Sequence, residues 1–156
     1  MENISIKKLL NSDLGTKLFF EVDEPIHNID LPPEILGKKV VGKITATKLD
    51  ETIILTGDLV AGTILICDRC LENFKGHIPF HLEREYNLNR MVKSEEGLFI
   101  DKYGEIDLTI PIREEIILAL PIKNICKSDC SGICSGCGVN LNHEKCSCKK
   151  SKKERK

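Results

Sequence analysis

The sequence predicts a β-rich α+β domain: a curved antiparallel sheet, one helix in the C-terminal half, and a cysteine-rich segment after it. Three observations carry this expectation. Residues 38–66 and 74–86 alternate apolar and polar side chains with the period of two that a strand requires. Residues 109–120 follow a helical period instead. Six of the eight cysteines fall between Cys126 and Cys148, where no apolar period exists.

Residues 1–36 are the least legible. The apolar stretches at 4–10 and 18–22 each suit one strand, and Pro25, Pro32 and Pro33 mark loop. From there Val40, Gly42, Ile44 and Ala46 alternate with Val41, Lys43, Thr45 and Thr47, and the polar run 48–51 reads as a turn. Residues 52–66 are rich in β-branched side chains and contain Gly57 and Gly62. Glycine inside a strand marks a bend or bulge, so the sheet is expected to curve, as in an open barrel. In the next strand Phe74, Ile78, Phe80 and Leu82 share one face, with Lys75, His77, His81, Glu83 and Glu85 on the other. Cys67-Asp68-Arg69-Cys70 therefore sits at a hairpin tip. Residues 87–104 are charged and read as a loop. In the helix, Thr109 is the expected N-cap, Pro111 lies in the first turn, Ile112, Ile116, Ala119 and Leu120 share a side, and Pro121 ends it.

Composition divides the chain into three stretches. Residues 1–125 are the β-rich domain, 126–148 the cysteine-rich segment and 149–156 a basic, disordered tail. Hydrophobic residues make up 41% of the chain, enough for a core, and with no Trp, two Tyr and five Phe that core rests on Ile, Leu and Val. The formal net charge of −1 hides a separation: the last eight residues hold six Lys/Arg and one Glu, while the preceding 148 hold 17 Lys/Arg and 23 Asp/Glu. The N-terminal residues lack the apolar run of a signal peptide, and no stretch reaches the ~18 apolar residues that span a bilayer. A cytoplasmic protein is expected, and there clustered thiols read as metal ligands before disulfides.

The eight cysteines, Cys67, Cys70, Cys126, Cys130, Cys134, Cys137, Cys146 and Cys148, suit two zinc ions with four thiolates each. A Cys-x-x-Cys turn supplies half a tetrahedral site, and the glycines of Cys134-Ser135-Gly136-Cys137-Gly138 allow the positive φ such a turn needs. Segment 126–148 has no apolar period with which to order itself, so it is expected to be clamped by metal. Loop-closure cost favours Cys134, Cys137, Cys146 and Cys148 as one local site, leaving Cys67 and Cys70 with Cys126 and Cys130. An interleaved pairing of Cys67/Cys70 with Cys134/Cys137 stays open. Four thiolates close the coordination sphere, so such sites are structural and not catalytic.

Competing chemistries have weaker support. A redox dithiol at Cys67/Cys70 expects a βαβ setting, which is missing. The spacing Cys130-x-x-x-Cys134-x-x-Cys137 matches that of radical-SAM enzymes, but those are built on an α/β barrel of ~250 residues. Another iron–sulfur cluster on four of the thiolates is chemically allowed. His143 is a candidate replacement ligand, though it reads better as a surface histidine. Glu114 and Glu115 are adjacent on the helix, so they are expected to point apart as a solvated face. His77 and His81 read as the solvent side of a one-sided strand. Phe74 and Phe80 read as core, and Tyr86 is open. No phosphate-cradling loop or nucleophile motif is present, so the expectation is no enzyme and no small-molecule substrate. The basic tail is a candidate RNA tether through Lys149, Lys150, Lys152, Lys153, Arg155 and Lys156, by release of counterions from phosphates.

The order of features resembles the bacterial YceD family. The resemblance is carried by Cys67-Asp68-Arg69-Cys70-Leu71 followed by Phe80, by Asp107-Leu108, by the helix Arg113-Glu114-Glu115-Ile116-Ile117-Leu118-Ala119-Leu120-Pro121, and by the run from Cys126 through Cys130-Ser131-Gly132-Ile133-Cys134-Ser135-Gly136-Cys137-Gly138-Val139-Asn140-Leu141-Asn142 to Cys146-Ser147-Cys148. It covers about residues 35–148. What it implies is a non-enzymatic role in accumulation of large-subunit ribosomal RNA and ribosome assembly, with that RNA or a large-subunit precursor as partner. An adaptor that binds a ribosomal or other protein, without touching RNA, is the alternative. The family supplies no catalytic residues to carry over. Its genes commonly adjoin that of a zinc-ribbon ribosomal protein.

Overall fold

Four strands of a single antiparallel meander form the body of the molecule. The computed structural model describes residues 3–25, 31, 35–88 and 100–148. Its elements in chain order are β1 (Ile4–Ser5), α1 (Lys7–Leu10), β2 (Lys17–Pro25), β3 (Ile35–Lys48), β4 (Thr52–Ile66), β5 (Asn73–Asn87), β6 (Glu105–Ile106) and α2 (Thr109–Leu118). The sheet order is β2-β3-β4-β5, and β1 pairs with β6 in a separate two-stranded ladder. The fold is α+β. Among the described residues the four-stranded sheet ends on free edges at β2 and β5, so its curve does not close into a barrel.

Every other residue of β4 is buried, from Ile53 through Leu55, Leu59, Ala61 and Leu65, while Asp58 and Ile66 face solvent. The same parity buries Ile44 and Ala46 on β3 and Ile78, Phe80, Leu82 and Tyr86 on β5. These inward side chains share one core with Ile4, Ile6, Leu9, Ile106, Leu108, Ile112 and Ile116. The helices and the small ladder thus cover one face of the sheet. The period-two readings of 40–47, 52–66 and 74–86 hold, and the pattern is continuous because a one-residue slip would turn every apolar side chain to water.

The two glycines singled out in β4 act differently. Gly62 sits opposite Lys39, where the β3 register shifts between Gly37 and Lys39 in a bulge that bends the sheet. Gly57 lies where backbones press together: a Cβ there would stand 2.5 Å from the Lys43 carbonyl oxygen and 3.0 Å from Ile44 Cγ1. On the facing strand Gly42 has φ +157° and an equally close approach to Asp58.

Three readings are corrected. The stretch 4–10 is not one strand. Ile4 pairs with Ile106, and the chain then turns helical so that Ile6 and Leu9 both reach the core. The α2 N-cap position is Leu108, whose side chain cannot cap, and the Asp107 Oδ1 accepts the Thr109 N–H at 2.8 Å instead. Glu114 and Glu115 do not point apart. Both reach Arg84 on the inward face of β5, at 3.1 and 2.6 Å, and this side chain is only 19% exposed. A fork of guanidinium donors spans two neighbouring carboxylates that a single donor could not.

Tyr86 resolves as core, 1% exposed, with a hydroxyl that has no hydrogen-bond partner among the described residues. Its burial pushes the phenol pKa up to about 12. A buried, unpaired hydroxyl costs roughly 1–3 kcal/mol of desolvation. Tyr86→Phe is therefore expected to raise stability, by up to about 1 kcal/mol after some relaxation in the tyrosine form. Chemical denaturation of the two proteins side by side checks this, and a lower midpoint for the Phe variant would reveal a role for the hydroxyl.

Candidate metal centres

The β4–β5 tip is a short turn closed by two backbone bonds. The Cys67 N–H donates to the Glu72 carbonyl at 2.9 Å, and the Leu71 N–H to the Cys67 carbonyl at 2.8 Å. Leu71 adopts φ +60° and its side chain is exposed. The C-terminal segment folds back over this turn. Asp68 and Asn124 hold each other twice: the Asp68 N–H donates to the Asn124 carbonyl and the Asn124 N–H to the Asp68 carboxylate, both at 2.8 Å. Further along, the Ile133 N–H donates to the Arg69 carbonyl at 2.9 Å, and the Arg69 Nη1 to the Cys130 carbonyl at 3.1 Å. Gly132, at φ +70°, lies against that same Arg69 carbonyl, where a Cβ would come within 2.9 Å.

The result is that Cys67, Cys70, Cys126 and Cys130 bring their sulfurs within 4.8 Å of one another. Cys67 Sγ lies 3.9 Å from Cys130 Sγ, and Cys70 Sγ 3.7 Å from Cys126 Sγ. Four sulfurs each ~2.3 Å from one ion define a tetrahedron with edges of ~3.8 Å. The donor set fits a soft divalent cation. Three of these cysteines are buried, with Phe74 and Ile125 packed against them.

The second group, Cys134, Cys137, Cys146 and Cys148, meets the same distance limit within the ribbon itself. The Cys134 N–H donates to the Val139 carbonyl and the Gly138 N–H to the Cys134 carbonyl, both at 2.8 Å, with Gly138 at φ +74°. Cys146 Sγ lies 3.1 Å from Cys134 Sγ and 3.7 Å from Cys137 Sγ. This group is more open, with Cys137 exposed. Loop closure was the argument for these two sets, and they are the sets that the structure brings together. The interleaved pairing is not the one formed.

Amides prepare several sulfurs for negative charge. The Cys126 N–H donates to Cys67 Sγ at 3.4 Å, the Gly136 N–H to Cys134 Sγ at 3.4 Å, and the Cys148 N–H to Cys146 Sγ at 3.3 Å. Burial acts to raise the Cys67 pKa, but backbone donors from Cys126, Cys70 and Arg69 outweigh it and leave the thiol at about 6. Cys134 also falls to about 6, chiefly through the Cys137 backbone N–H. Their neighbours move the other way: burial pushes Cys126 up to about 12, and the adjoining Cys137 and Cys146 thiols push Cys148 up to about 12. Four like charges cannot ionise together without a cation, so each group splits into ready thiolates and reluctant thiols.

One contributor escaped the sequence reading. Asn142 donates its Nδ2 to Cys130 Sγ at 3.4 Å, and its Oδ1 accepts the Ser131 N–H at 2.9 Å. That donor is the first cause of the lowered Cys130 pKa. The only signal was an Asn among cysteines. His143 stays apart from the sulfurs. Its Nε2 is 2.9 Å from a Glu72 oxygen, latching the ribbon to the hairpin tip. The six tail cations, Lys149 to Lys156, lie outside the described residues.

On the sheet face that no described element covers, His81 Nδ1 lies 2.8 Å from Asp58 Oδ1, in a shallow depression with Lys43, Thr45 and Thr56. The Asp58 bond, aided by the charges of Asp58, Glu83 and Glu115, raises the His81 pKa above its ordinary 6.5. A raised folded-state pKa stabilises the protein at low pH, and that stabilisation is lost as pH climbs through the raised value. Asp58→Asn is expected to bring the His81 NMR titration midpoint down towards 6.5, and an unmoved midpoint would remove Asp58 as the cause.

Among known proteins, the family model described as large ribosomal RNA subunit accumulation protein YceD matches residues 55–156. The chain belongs to the YceD family. That match takes in both cysteine groups, β5 and α2 of this YceD-family chain. An uncharacterized Mycobacterium leprae protein is 30% identical over 97 residues, 60% of this chain and 45% of the relative. An uncharacterized Mycobacterium tuberculosis protein is 28% identical over 140 residues, 80% of this chain and 65% of the relative. The chain therefore spans about half to two thirds of the length of these relatives. A chloroplastic large ribosomal RNA subunit accumulation protein YCED homolog of Arabidopsis thaliana is 43% identical over 57 residues, 36% of this chain and 18% of that protein. No solved structure matches this YceD-family fold. Among its described residues, no helix is long and apolar enough to cross a membrane.

Proposed function

We propose that this YceD-family chain promotes the accumulation of large-subunit ribosomal RNA in the cytoplasm by binding, not by catalysis. In this reading one zinc ion in each four-cysteine group fixes the C-terminal surface. The observation that carries the reading is that the stretch matched by the family contains all eight thiols, gathered four and four. A four-thiolate ion has no open position for substrate or water, which favours a structural role for the metal. The partner is the RNA or a large-subunit precursor, and the cations at 149–156 supply charge-driven affinity for it.

Depleting the protein in its native cells and quantifying both ribosomal RNAs tests the role. A selective fall in the large-subunit RNA is the expected result, and an unchanged ratio would refute it. Metal analysis of the reduced, purified protein is expected to give two zinc per chain, and iron with a brown chromophore would replace zinc by an iron–sulfur cluster.

One observation favours a protein-binding adaptor as the second reading. Among the described residues the open sheet face holds paired charges of both signs, Lys39 with Asp23, Lys43 with Glu21 and His81 with Asp58. Salt separates the two readings: RNA binding through 149–156 weakens steeply with ionic strength and on deleting those residues, whereas protein binding by the sheet does neither to the same degree.

A further inference from the structure

The outer edge of β2 faces a cleft that two different sheets enclose. β2 ends the order β2-β3-β4-β5, so among the described residues no strand pairs with its far side. On an antiparallel edge, alternate residues direct N–H and C=O groups outward with no ladder partner. Across the cleft stands β1, whose own partner is β6. The cavity between them is about 330 Å³, at the low end of the ~300–1,000 Å³ range of ligand clefts. Ile4 and Ser5 of β1, Phe20 and Val22 of β2, and Leu108 line it.

We propose that this cleft is a β-augmentation site, taking one extended peptide segment in which apolar and basic side chains alternate. Such a strand would pair with the β2 edge and join the four-stranded sheet to the β1–β6 ladder. Alternate side chains of the guest would rest on the half-buried Phe20, above the core residues Val22 and Leu108, and the others would stand beside Phe19 and Glu21, which are 77% and 83% exposed. Charge selects the guest. Glu24 and Glu21 line the cleft, Glu21 also lying 3.5 Å from Lys43, and among the described residues no lysine or arginine lines it. Those carboxylates repel phosphate, which disfavours RNA, and a second copy presenting β2 would bring the same two carboxylates. Lysine or arginine on an extended peptide satisfies both the charge and the open backbone. The site uses no cysteine and nothing from 149–156. Its failure therefore leaves the RNA-accumulation reading untouched, while its success supplies the partner chemistry for the adaptor reading.

The test uses the full chain in its metal-loaded, reduced form. The probe is a fluorescein-labelled heptapeptide of alternating valine and lysine, read by anisotropy at near-physiological salt. Comparison peptides carry a central proline, or glutamate in place of lysine. Saturable binding of the valine–lysine peptide is expected, with slowed amide exchange in β2 and not in β5. Glu21→Lys with Glu24→Lys is expected to weaken that binding about tenfold or more and to favour the valine–glutamate peptide. Equal binding of the proline peptide, unprotected β2 amides, or no saturation would overturn the proposal. So would a dimer of the free protein that the same double substitution dissociates, because the edge would then serve a second copy. Should the double variant fail to fold, amide exchange of the native chain with and without peptide decides the matter alone.

Discussion

Cys130→Ser is expected to remove one metal ion per chain and to release the C-terminal segment from the β4–β5 tip, while the sheet stays folded. Cys130 is central to that junction in three ways. Its sulfur lies 3.9 Å from Cys67 Sγ, its carbonyl accepts from Arg69, and its sulfur accepts from Asn142. Structural zinc contributes roughly 10–16 kcal/mol of apparent binding energy in small domains, and losing one of four thiolates forfeits much of it. Without the cation Cys67 would face the raised thiols of Cys70 and Cys126, and no ion would hold the three sulfurs together. Cys146→Ser touches the more open group and is expected to lose one ion with only local unfolding of 134–148. Metal content by mass spectrometry, together with limited proteolysis, distinguishes the two variants. If Cys130→Ser keeps two ions, the four-cysteine assignment at the tip is wrong. If cleavage spreads through the strands, the clip is part of the core and not an attachment to it.

Gly42→Ala is expected to cost about 2–5 kcal/mol, from backbone strain and overpacking together, and to unfold much of the protein at physiological temperature. At φ +157° a side chain is strained, and the added Cβ would collide with the Asp58 carbonyl oxygen and crowd Leu59 Cα at 2.8 Å. Those contacts are backbone atoms of a central strand, so no rotamer change relieves them. Gly62→Ala is the comparison, because the nearest atom to its added Cβ is a carbonyl oxygen at 3.7 Å. It is expected to lose no more than roughly 1 kcal/mol and to gain from reduced freedom of the unfolded chain. Urea denaturation of both variants tests the difference. Equal midpoints would mean that the sheet flattens freely at Gly42 and that its curvature is not locked there.

The long strands were legible because their signal is local: in β4 and β5 one face meets the core along fifteen residues, and the alternation is hard to misread. The thiol groups were legible for a related reason, since short chain separations limit which sulfurs can meet. What stayed hidden depends on contacts between distant positions. Ile4 and Ser5 have too little length to reveal a strand, and their pairing with Ile106 and Glu105 exists only once the chain has folded. The two glutamates of α2 read as a solvated face because Arg84 lies some thirty positions away on β5. Asn142 was invisible as a sulfur donor because asparagine in a turn has an ordinary explanation of its own.

The double grip of Asp68 and Asn124, reinforced by the adjoining thiols, has a mechanical consequence. With an ion held at the hairpin tip, residues 67–130 become a closed ring that contains β5 and α2. A pull applied beyond Cys148 would first load the ribbon, then the sulfur bonds at the tip, and only afterwards the strand ladder. Force on a tethered C-terminus would therefore be taken up by metal–thiolate linkages in sequence, the outer before the inner, and the sheet would keep its register until both had let go.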